Sequence, residues 1–310
     1  MVSLVSLYFS SVNPLIPLLH RPTFEQCIGR RLHEDEPGFA STVLLVCALG
    51  SLYLPEVSRQ ERETLGWKWY NQVELCGHTL KNLPALYDLQ AYCLAAEFLN
   101  LTSNPRFCWS IVGFGLRLVE DMGAHRLKSA ARPISAEEEL EKRAFWRVNI
   151  CSGHLSAALG RSAVFDPPGF DMDLPSECDD EYWGISGPGA QPPGIPSSVS
   201  FFNSILNLYR IFHFTLRIFY CTTRSHTFMK IRHLWPIATQ LGSTLDKWFS
   251  SIPQHLIWDP VHPDALFFDQ SAALHCFHCY VRILIYRPFL PAVRPGLPTV
   301  SGFLRAHRTI

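Results

Sequence analysis

The sequence predicts an all-α protein, an irregular multi-helix bundle with a long, acidic, Pro/Gly-rich loop between two helical halves. Apolar residues recur every three or four positions wherever a period can be read, and strand-like alternation is nearly absent. With 47% hydrophobic and 17% charged residues in 310, the chain can bury a large core. We therefore expect an N-terminal helical half over 1–165, the loop over 166–199, and a truncated C-terminal helical half over 200–310.

The first element is a bent connector rather than a helix. The stretch PLIPLLHRPTF, residues 14–24, contains three prolines, which forbid one continuous helix. The stretch is also too apolar for a free loop. We expect it to pack against the helices through Leu15, Leu18 and Phe24.

Two helices are predicted next. The stretch 88–101 is rich in good helix formers and has one apolar side. The second helix begins after Asn104, a suitable N-cap, and ends at Gly123. Because this second helix has two apolar stripes, we expect it to be central. The pair Gly113-x-Gly115 inside it indicates close helix packing rather than a phosphate-binding loop, since no strand precedes it.

The third helix and the loop follow. Ser135 and Glu138 form a capping-box pattern, and the helix should run to Gly160. The segment 166–199 is dense in Pro and Gly, which predicts the loop.

Helical patterns resume in the C-terminal half. They cover 200–220, 234–249 and about 268–286. The last of them should stop at Arg287 and Pro288, because proline cannot continue a helix interior.

Composition excludes several classes of function. The chain has 27 basic and 27 acidic residues, so no global charge attracts it to nucleic acid or to a membrane. The longest uncharged apolar run, 39–54, is shorter than the roughly 20 residues of a membrane helix. Without a secretory signal pattern at the N-terminus, we interpret the ten cysteines as reduced thiols of an intracellular protein.

Metal-binding residue types cluster once, at His275, Cys276, His278 and Cys279. No second Cys-x-x-Cys pair accompanies them, so we interpret the two cysteines as small buried hydrophobic residues. The sequence shows no nucleophile elbow, Walker loop or His-Glu-x-x-His helix. We therefore expect no catalytic residue, no metal ligand and no cofactor in this chain.

Acidic residues crowd the loop between Asp166 and Glu181. Their spacing differs from a calcium loop, which favours a solvated acidic face over a cation site. The arginines at 143, 147 and 161 suggest a further hypothesis. Guanidinium groups bind carboxylates through paired hydrogen bonds, so these arginines could dock the acidic loop onto the third helix, for example Arg161 with Asp166.

Five stretches, in order, resemble the fungal-specific transcription factor domain, the middle homology region of fungal zinc-cluster regulators. They are YFSSVNPLIPLLHRPTF, the helix pair ending in GAHR, EKRAFWRVN with its continuation through LGR into the acidic Leu-Pro loop, LDKWFSSIPQHLIWD, and ILIYRPFL. The positions that match family motifs, which we expect to be structural, are His20, Arg21, Pro22, Phe24, Gly123, His125, Arg126, Arg143, Phe145, Trp146, Gly160, Arg161, Arg287, Pro288 and Phe289.

The resemblance implies an all-helical regulatory domain of a nuclear, DNA-binding transcription factor. The six-cysteine zinc cluster that the family places N-terminal to this domain is absent from these 310 residues. Zinc is then expected only in a missing N-terminal cluster, and DNA would be reached through that module or through a partner protein. The chain is either a fragment or a paralogue without the cluster.

The resemblance also suggests how such a domain would work. It would sense a small-molecule effector or a partner protein and relay that state to transcription; Trp109, Phe114, Phe145 and Trp146 are candidates to line an effector pocket. One alternative is a structural module that forms a homodimer or holds a co-regulator without any ligand. A remote alternative is a helical metal-dependent enzyme.

Overall fold

The computed structural model of the chain describes residues 2–75, 83–102, 104–124, 134–161, 172–184, 187–220 and 231–290, with side chains from 234 in the last range. Eleven α-helices lie in these ranges: α1 Val2–Ser11, α2 Arg21–Gly29, α3 Leu32–Asp35, α4 Pro37–Ser51, α5 Arg59–Tyr70, α6 Leu86–Leu101, α7 Pro105–Asp121, α8 Ala136–Leu159, α9 Val199–Phe219, α10 Ile231–Ser250 and α11 Ala265–Tyr286. Apart from one bridge between Gly184 and Gly187, these ranges contain no β-structure. The prediction of an all-α fold is confirmed.

The connector between α1 and α2 bends as its prolines predict. The side chain of Asn13 closes the bend, because its amide donates to the Leu19 carbonyl (3.1 Å) and its oxygen accepts from the Leu19 amide (3.2 Å). Leu18 and Leu19 are buried. His20 then caps α2, its Nδ1 accepting from the Thr23 amide at 3.4 Å. The connector therefore holds the buried His20 at a defined place in the fold.

Helix α6 is the central helix of the N-terminal half. It packs against α4, α7 and α8, and almost all of its side chains up to Leu99 are buried. We expected α7 to be central, and that expectation is wrong. Phe107 and Phe114 on α7 are 69% and 45% exposed, because the second apolar stripe of α7 is only partly covered.

The two glycines of α7 differ in their surroundings. A Cβ at Gly115 would lie 3.0 Å from Cγ2 of Val148 on α8, so this glycine permits close helix packing. A Cβ at Gly113 would meet no atom within 4 Å. The packing explanation inferred from the sequence therefore holds for Gly115 alone.

An aromatic cluster joins α8 to the C-terminal helices. The ring of His154 on α8 lies 4.8 Å from the ring of Phe277 on α11 and 5.2 Å from that of Phe212 on α9, measured between centroids. The Tyr209 hydroxyl on α9 donates to the Asn149 carbonyl of α8 at 2.7 Å. These contacts anchor α9, and α9 in turn supports the segment that precedes it.

We expect Gly50→Ala and Gly113→Ala to have opposite effects on stability. A Cβ at Gly50 in α4 would lie 2.1 Å from the backbone oxygen of Leu4 in α1, so alanine must push α1 away, at about 1–3 kcal/mol. Alanine at the unobstructed Gly113 should gain about 0.5–1 kcal/mol from helix propensity. Urea unfolding of both variants tests this, and an unchanged midpoint for Gly50→Ala would contradict the packing of α1 on α4.

We expect His154 to make the protein less stable in acid. Burial, together with the charge of Arg147, lowers the pKa of His154 from 6.5 to about 4. As the pH falls from 6.5 towards 4, the unfolded chain takes up a proton at this site and the folded chain does not. The free energy of unfolding should then drop by at most about 3 kcal/mol. Unfolding at pH 7 and pH 4.5 should show a smaller drop in His154→Phe, and equal drops would contradict this assignment.

Candidate functional site

The candidate site begins on the inner face of α8. The capping box at its start is present: Ser135 Oγ accepts from the Glu138 amide at 3.2 Å, and the Glu138 carboxylate accepts from the Ser135 amide at 3.0 Å. Within the helix, Glu139 is fully buried and Arg143 is 1% exposed. Their spacing of four residues places both on one helix face. Charged side chains are almost never buried in this way unless they are paired.

Glu139 is surrounded by hydrogen-bond donors. Its carboxylate accepts from Lys142 Nζ (3.1 Å), from the Ser176 amide (2.9 Å) and from the Ser176 hydroxyl (3.0 Å). Arg143 Nε lies 3.6 Å from the same carboxylate. Ser176 belongs to what we name the acidic segment, residues 172–184 and 187–198. One buried carboxylate therefore holds this segment against α8.

Arg143 reaches the acidic segment directly. Its Nη1 donates to Asp180 Oδ1 at 3.3 Å, and its guanidinium lies 4.9 Å from the centre of the Trp183 ring. A cation over an indole face is attracted by the ring quadrupole. The charges of Glu139, Asp180, Lys142 and Arg143 sum to zero, so the buried group is neutral as a whole.

Asp180 also receives donors from the N-terminal connector. Its Oδ2 accepts from the Arg21 amide at 3.0 Å, at the first turn of α2, where the helix dipole favours an anion. His20 Nε2 lies 3.1 Å from the Asp180 carbonyl and must donate to it, which leaves Nδ1 to accept from the Thr23 hydroxyl at 2.7 Å. The His20 ring stacks on Trp183 with centroids 4.2 Å apart.

Two further bonds fasten the start of the acidic segment. Trp146 Nε1 donates to the Asp173 carbonyl at 2.9 Å, and Lys142 Nζ donates to the Leu174 carbonyl at 3.4 Å. Both donors lie on α8. The segment thus follows α8 through backbone carbonyls as well as through charged side chains.

The end of the acidic segment is fixed at the start of α9. Asp179 Oδ1 accepts from the Ser197 hydroxyl (3.0 Å), the Ser198 amide (2.9 Å) and the Ser198 hydroxyl (2.7 Å). Glu177 accepts from Ser200 and Asn203. The interpretation of a solvated acidic face is therefore wrong for Asp179 and Asp180, whose carboxylates hold structure together.

The three arginines have three different environments. Arg143 docks the acidic segment, as the hypothesis proposed. Arg147 does not, because it pairs with the buried Glu97 of α6. The guanidinium of Arg161 lies 4.2 Å from the ring centre of Trp109, and its suggested partner Asp166 lies outside the described residues.

The other motif positions are spread over the fold. Pro22 lies in the first turn of α2, and Phe24 packs on Phe9 with ring centroids 5.5 Å apart. Gly160 ends α8 with φ +62°, a left-handed conformation that favours glycine, and Gly123 after α7 has φ +66°. His125 and Arg126 lie outside the described residues.

The motif Arg287-Pro288-Phe289 forms a short 3-10 turn directly after α11. Its aromatic ring packs against two neighbouring helices, 5.7 Å from the ring of Phe219 on α9 and 5.2 Å from that of Trp235 on α10. These positions shape the ends of helices.

The suggested effector pocket does not assemble from its four residues. Phe145 is fully buried in the core, and Trp146 lies beneath the acidic segment. Trp109 is covered by Arg161, and Phe114 is 45% exposed. Within the described residues, a cavity lies elsewhere, between α10 and α11; its volume of about 10 Å³ suits one water molecule.

The Cys/His cluster also differs from its interpretation. Cys276 and Cys279 are exposed rather than buried. The buried face of α11 is formed instead by residues such as Leu274, His278 and Val281. A hydrophobic role for the two cysteines is therefore wrong.

Sequence reasoning did not find Glu139, Lys142 or Trp183 as members of the network. The sequence did contain a signal for Glu139 and Lys142. Together with Arg143 they lie at positions i, i+3 and i+4 of one helix. The large aromatic residues Phe145 and Trp146 follow directly, so charged and aromatic side chains share a helix surface. Which side of α8 faces the core is decided by the elements packed against it. The sequence pattern of α8 is too weakly amphipathic to reveal it.

The class of protein follows from the fold and the site. The chain is an all-helical domain in which an irregular acidic segment is docked by buried charges, joining its N-terminal connector to α8 and α9. Residues 5–250 match the family model of the fungal specific transcription factor domain. The chain belongs to this family and is a regulatory domain of a fungal transcription factor.

The relatives of the chain are fungal transcriptional regulators. The transcriptional activator protein acu-15 of Neurospora crassa is 24% identical over 315 residues, covering 96% of this chain and 32% of the relative. Activator of stress genes 1 of Saccharomyces cerevisiae is 24% identical, covering 89% and 30%. An ABC-transporter-regulating transcription factor of Aspergillus oryzae is 27% identical, covering 57% and 20%.

The chain spans a third or less of the length of these curated relatives. No solved structure matches it. Among the helices described, none has the length and apolar character needed to cross a membrane.

We expect Glu139→Gln to destabilise the protein strongly. The substitution keeps the side-chain shape but leaves Lys142 and Arg143 buried with one carboxylate between them, and breaking a buried ion pair costs about 3–5 kcal/mol. The control is Glu63→Gln in the exposed pair Arg59–Glu63, which should cost less than about 1 kcal/mol. Urea unfolding measures both. Equal effects of the two substitutions would show that the buried network contributes no more than a surface pair.

Proposed function

We propose that this regulatory domain works through its acidic segment, which exchanges between the docked state described above and a released state. Docking covers α8 and the start of α9, and release exposes them. A small molecule or a partner protein that binds one state better than the other would shift the population and so change transcription. The observation that carries the proposal is the buried network of Glu139, Arg143 and Asp180.

The polar character of the docking supports two discrete states. Apolar contacts tolerate sliding, whereas the buried Glu139 carboxylate accepts three hydrogen bonds, which fix one arrangement. Partial release would take the Ser176 donors from Glu139 or the Asp180 carboxylate from Arg143 while these charges stay buried, which costs several kcal/mol. The segment is therefore expected to leave α8 as a unit, with its bonds at both ends broken together.

The contacts at the N-terminal connector support a link to a distant part of the chain. His20 and Arg21 hold Asp180 only while the segment is docked. A change at Asp180 would therefore reach α2 directly. A signal that acts on the segment could in this way be transmitted to the N-terminal end of the domain.

We further propose that the protein acts in the nucleus and is not an enzyme. Its relatives are named as transcriptional regulators, and they are about three times as long as this chain. The domain has equal numbers of basic and acidic residues, so it lacks the excess positive charge with which proteins bind the phosphate backbone of DNA. DNA would be reached through a separate zinc-cluster module or through a partner protein, and a homodimer or a bound co-regulator are the other partners we expect.

The test uses the chain fused to an unrelated DNA-binding domain that drives a reporter gene. Arg143→Met and Asp180→Asn should change reporter transcription about fivefold or more. A fivefold change corresponds to the lower end of the coupling free energies that are typical of allosteric proteins. Both should also speed hydrogen exchange in residues 172–184. The matched control is Arg59→Met, which removes an exposed arginine and should change neither readout.

The two readouts separate the possible results. Faster exchange with altered transcription supports the proposal. Faster exchange with unchanged transcription would overturn it, because the segment would then be released without regulatory effect. Circular dichroism of the same variants confirms that the helices are retained.

A further inference from the structure

We propose that His275, His278 and Cys279 on α11 form a binding site for Zn²⁺. The site lies in the C-terminal half, on a helix whose Gln270 also donates to the Ser198 carbonyl at 3.1 Å, and the proposal does not rest on the docking mechanism above. It departs from our expectation that the chain itself holds no metal ligand. Four observations carry the inference: the spacing of the ligands, their distances, an unpartnered buried imidazole and an adjoining cavity.

The helix brings the three side chains to one side. Positions i, i+3 and i+4 are neighbours on an α-helix surface. One ligand atom from each of the three residues lies within 4.8 Å of the other two. Cys276, the other cysteine of the sequence cluster, does not belong to this group.

One of the three separations between ligand atoms agrees with metal geometry. Cys279 Sγ and His275 Nε2 are 3.7 Å apart. Bonds of about 2.3 Å to sulfur and 2.0–2.1 Å to nitrogen, at a tetrahedral angle, separate the two ligand atoms by about 3.6 Å. These two atoms form a hydrogen bond in the structure, and their separation is also the one that a shared zinc ion requires.

The buried side chain of His278 has polar atoms that a bound metal ion would satisfy. The residue is only 6% exposed, yet both of its ring nitrogens lack a hydrogen-bond partner. Buried polar atoms without a partner are rare in folded proteins, because their desolvation is uncompensated. A metal ion on one nitrogen would satisfy it. His275 Nδ1 is buried without a partner as well.

Aromatic rings of α10 surround the His278 imidazole and fix its position. The His278 ring stacks on Trp248 of α10, with centroids 5.8 Å apart, and lies 5.0 Å from the Phe249 ring. Asp246 pairs with Arg282 at 3.7 Å, which reduces the repulsion that Arg282 would exert on a cation.

The neighbouring space suits a fourth ligand. The cavity of about 10 Å³ between α10 and α11 is lined by both histidines and by Trp248, Trp258 and Ser271, and it has room for about one water molecule. Cys279 is exposed, so the ion can enter from solvent. Two imidazoles, a thiolate and a water form a coordination set typical of zinc. Magnesium and calcium, which prefer oxygen ligands, should not bind.

Cobalt titration of the purified 310-residue chain tests the site. Co²⁺ adopts the same tetrahedral coordination as zinc and gives a thiolate-to-metal charge-transfer band. We expect one equivalent to bind, with Zn²⁺ displacing it and Mg²⁺ having no effect. Cys279→Ser should abolish the band, and His275→Gln should weaken binding more than about 100-fold, beyond the loss caused by altering residues around a metal ligand.

Cys276→Ser is the matched control, since it removes the adjacent exposed thiol and should leave the titration unchanged. Because Cys279 is exposed, its replacement by serine should leave the fold intact, and circular dichroism checks this. Three results would overturn the proposal: no cobalt binding by the unaltered chain, a band that survives Cys279→Ser, or a band lost equally in Cys276→Ser.

Discussion

The burial of Glu139 and Arg143 on α8 is the constraint on which the rest of the candidate site depends. A charged group removed from water is tolerated only when opposite charge and hydrogen bonds replace its hydration. These two side chains find them in Ser176, Asp180 and Trp183, all of which belong to the acidic segment. The path of an otherwise irregular stretch of chain is therefore determined by charges on one helix.

The same constraint explains why motif residues far apart in the sequence belong together. His20 and Arg21 contribute a ring nitrogen and a backbone amide to Asp180, and Trp146 holds the segment a few residues earlier. Each residue is unremarkable alone. Together they surround one neutral group of four charges. The residues of a family motif in such a domain can therefore be members of one buried network rather than catalytic residues.

The C-terminal half is organised on a different principle. Helix α11 has one face packed against α9 and α10, and its Cys/His residues lie along the border of that face. His278 is drawn into the aromatic contact with α10, while Cys279 stays at the surface. This border position is what makes a metal site possible, since ligands there are held by packing but remain accessible to an ion from solvent.

The sequence by itself determined the helical class, the capping box of α8, the bent connector and the family, because periodicity, caps and prolines act locally and motif order can be read along the chain. Only the tertiary structure decided that α6 rather than α7 is central, that Arg143 docks the acidic segment whereas Arg147 pairs with Glu97, and that Cys276 and Cys279 are exposed. The physical reason is the same in each case. The burial of a helix face and the partner of a charge depend on which other elements pack against it, and that information lies outside the local pattern.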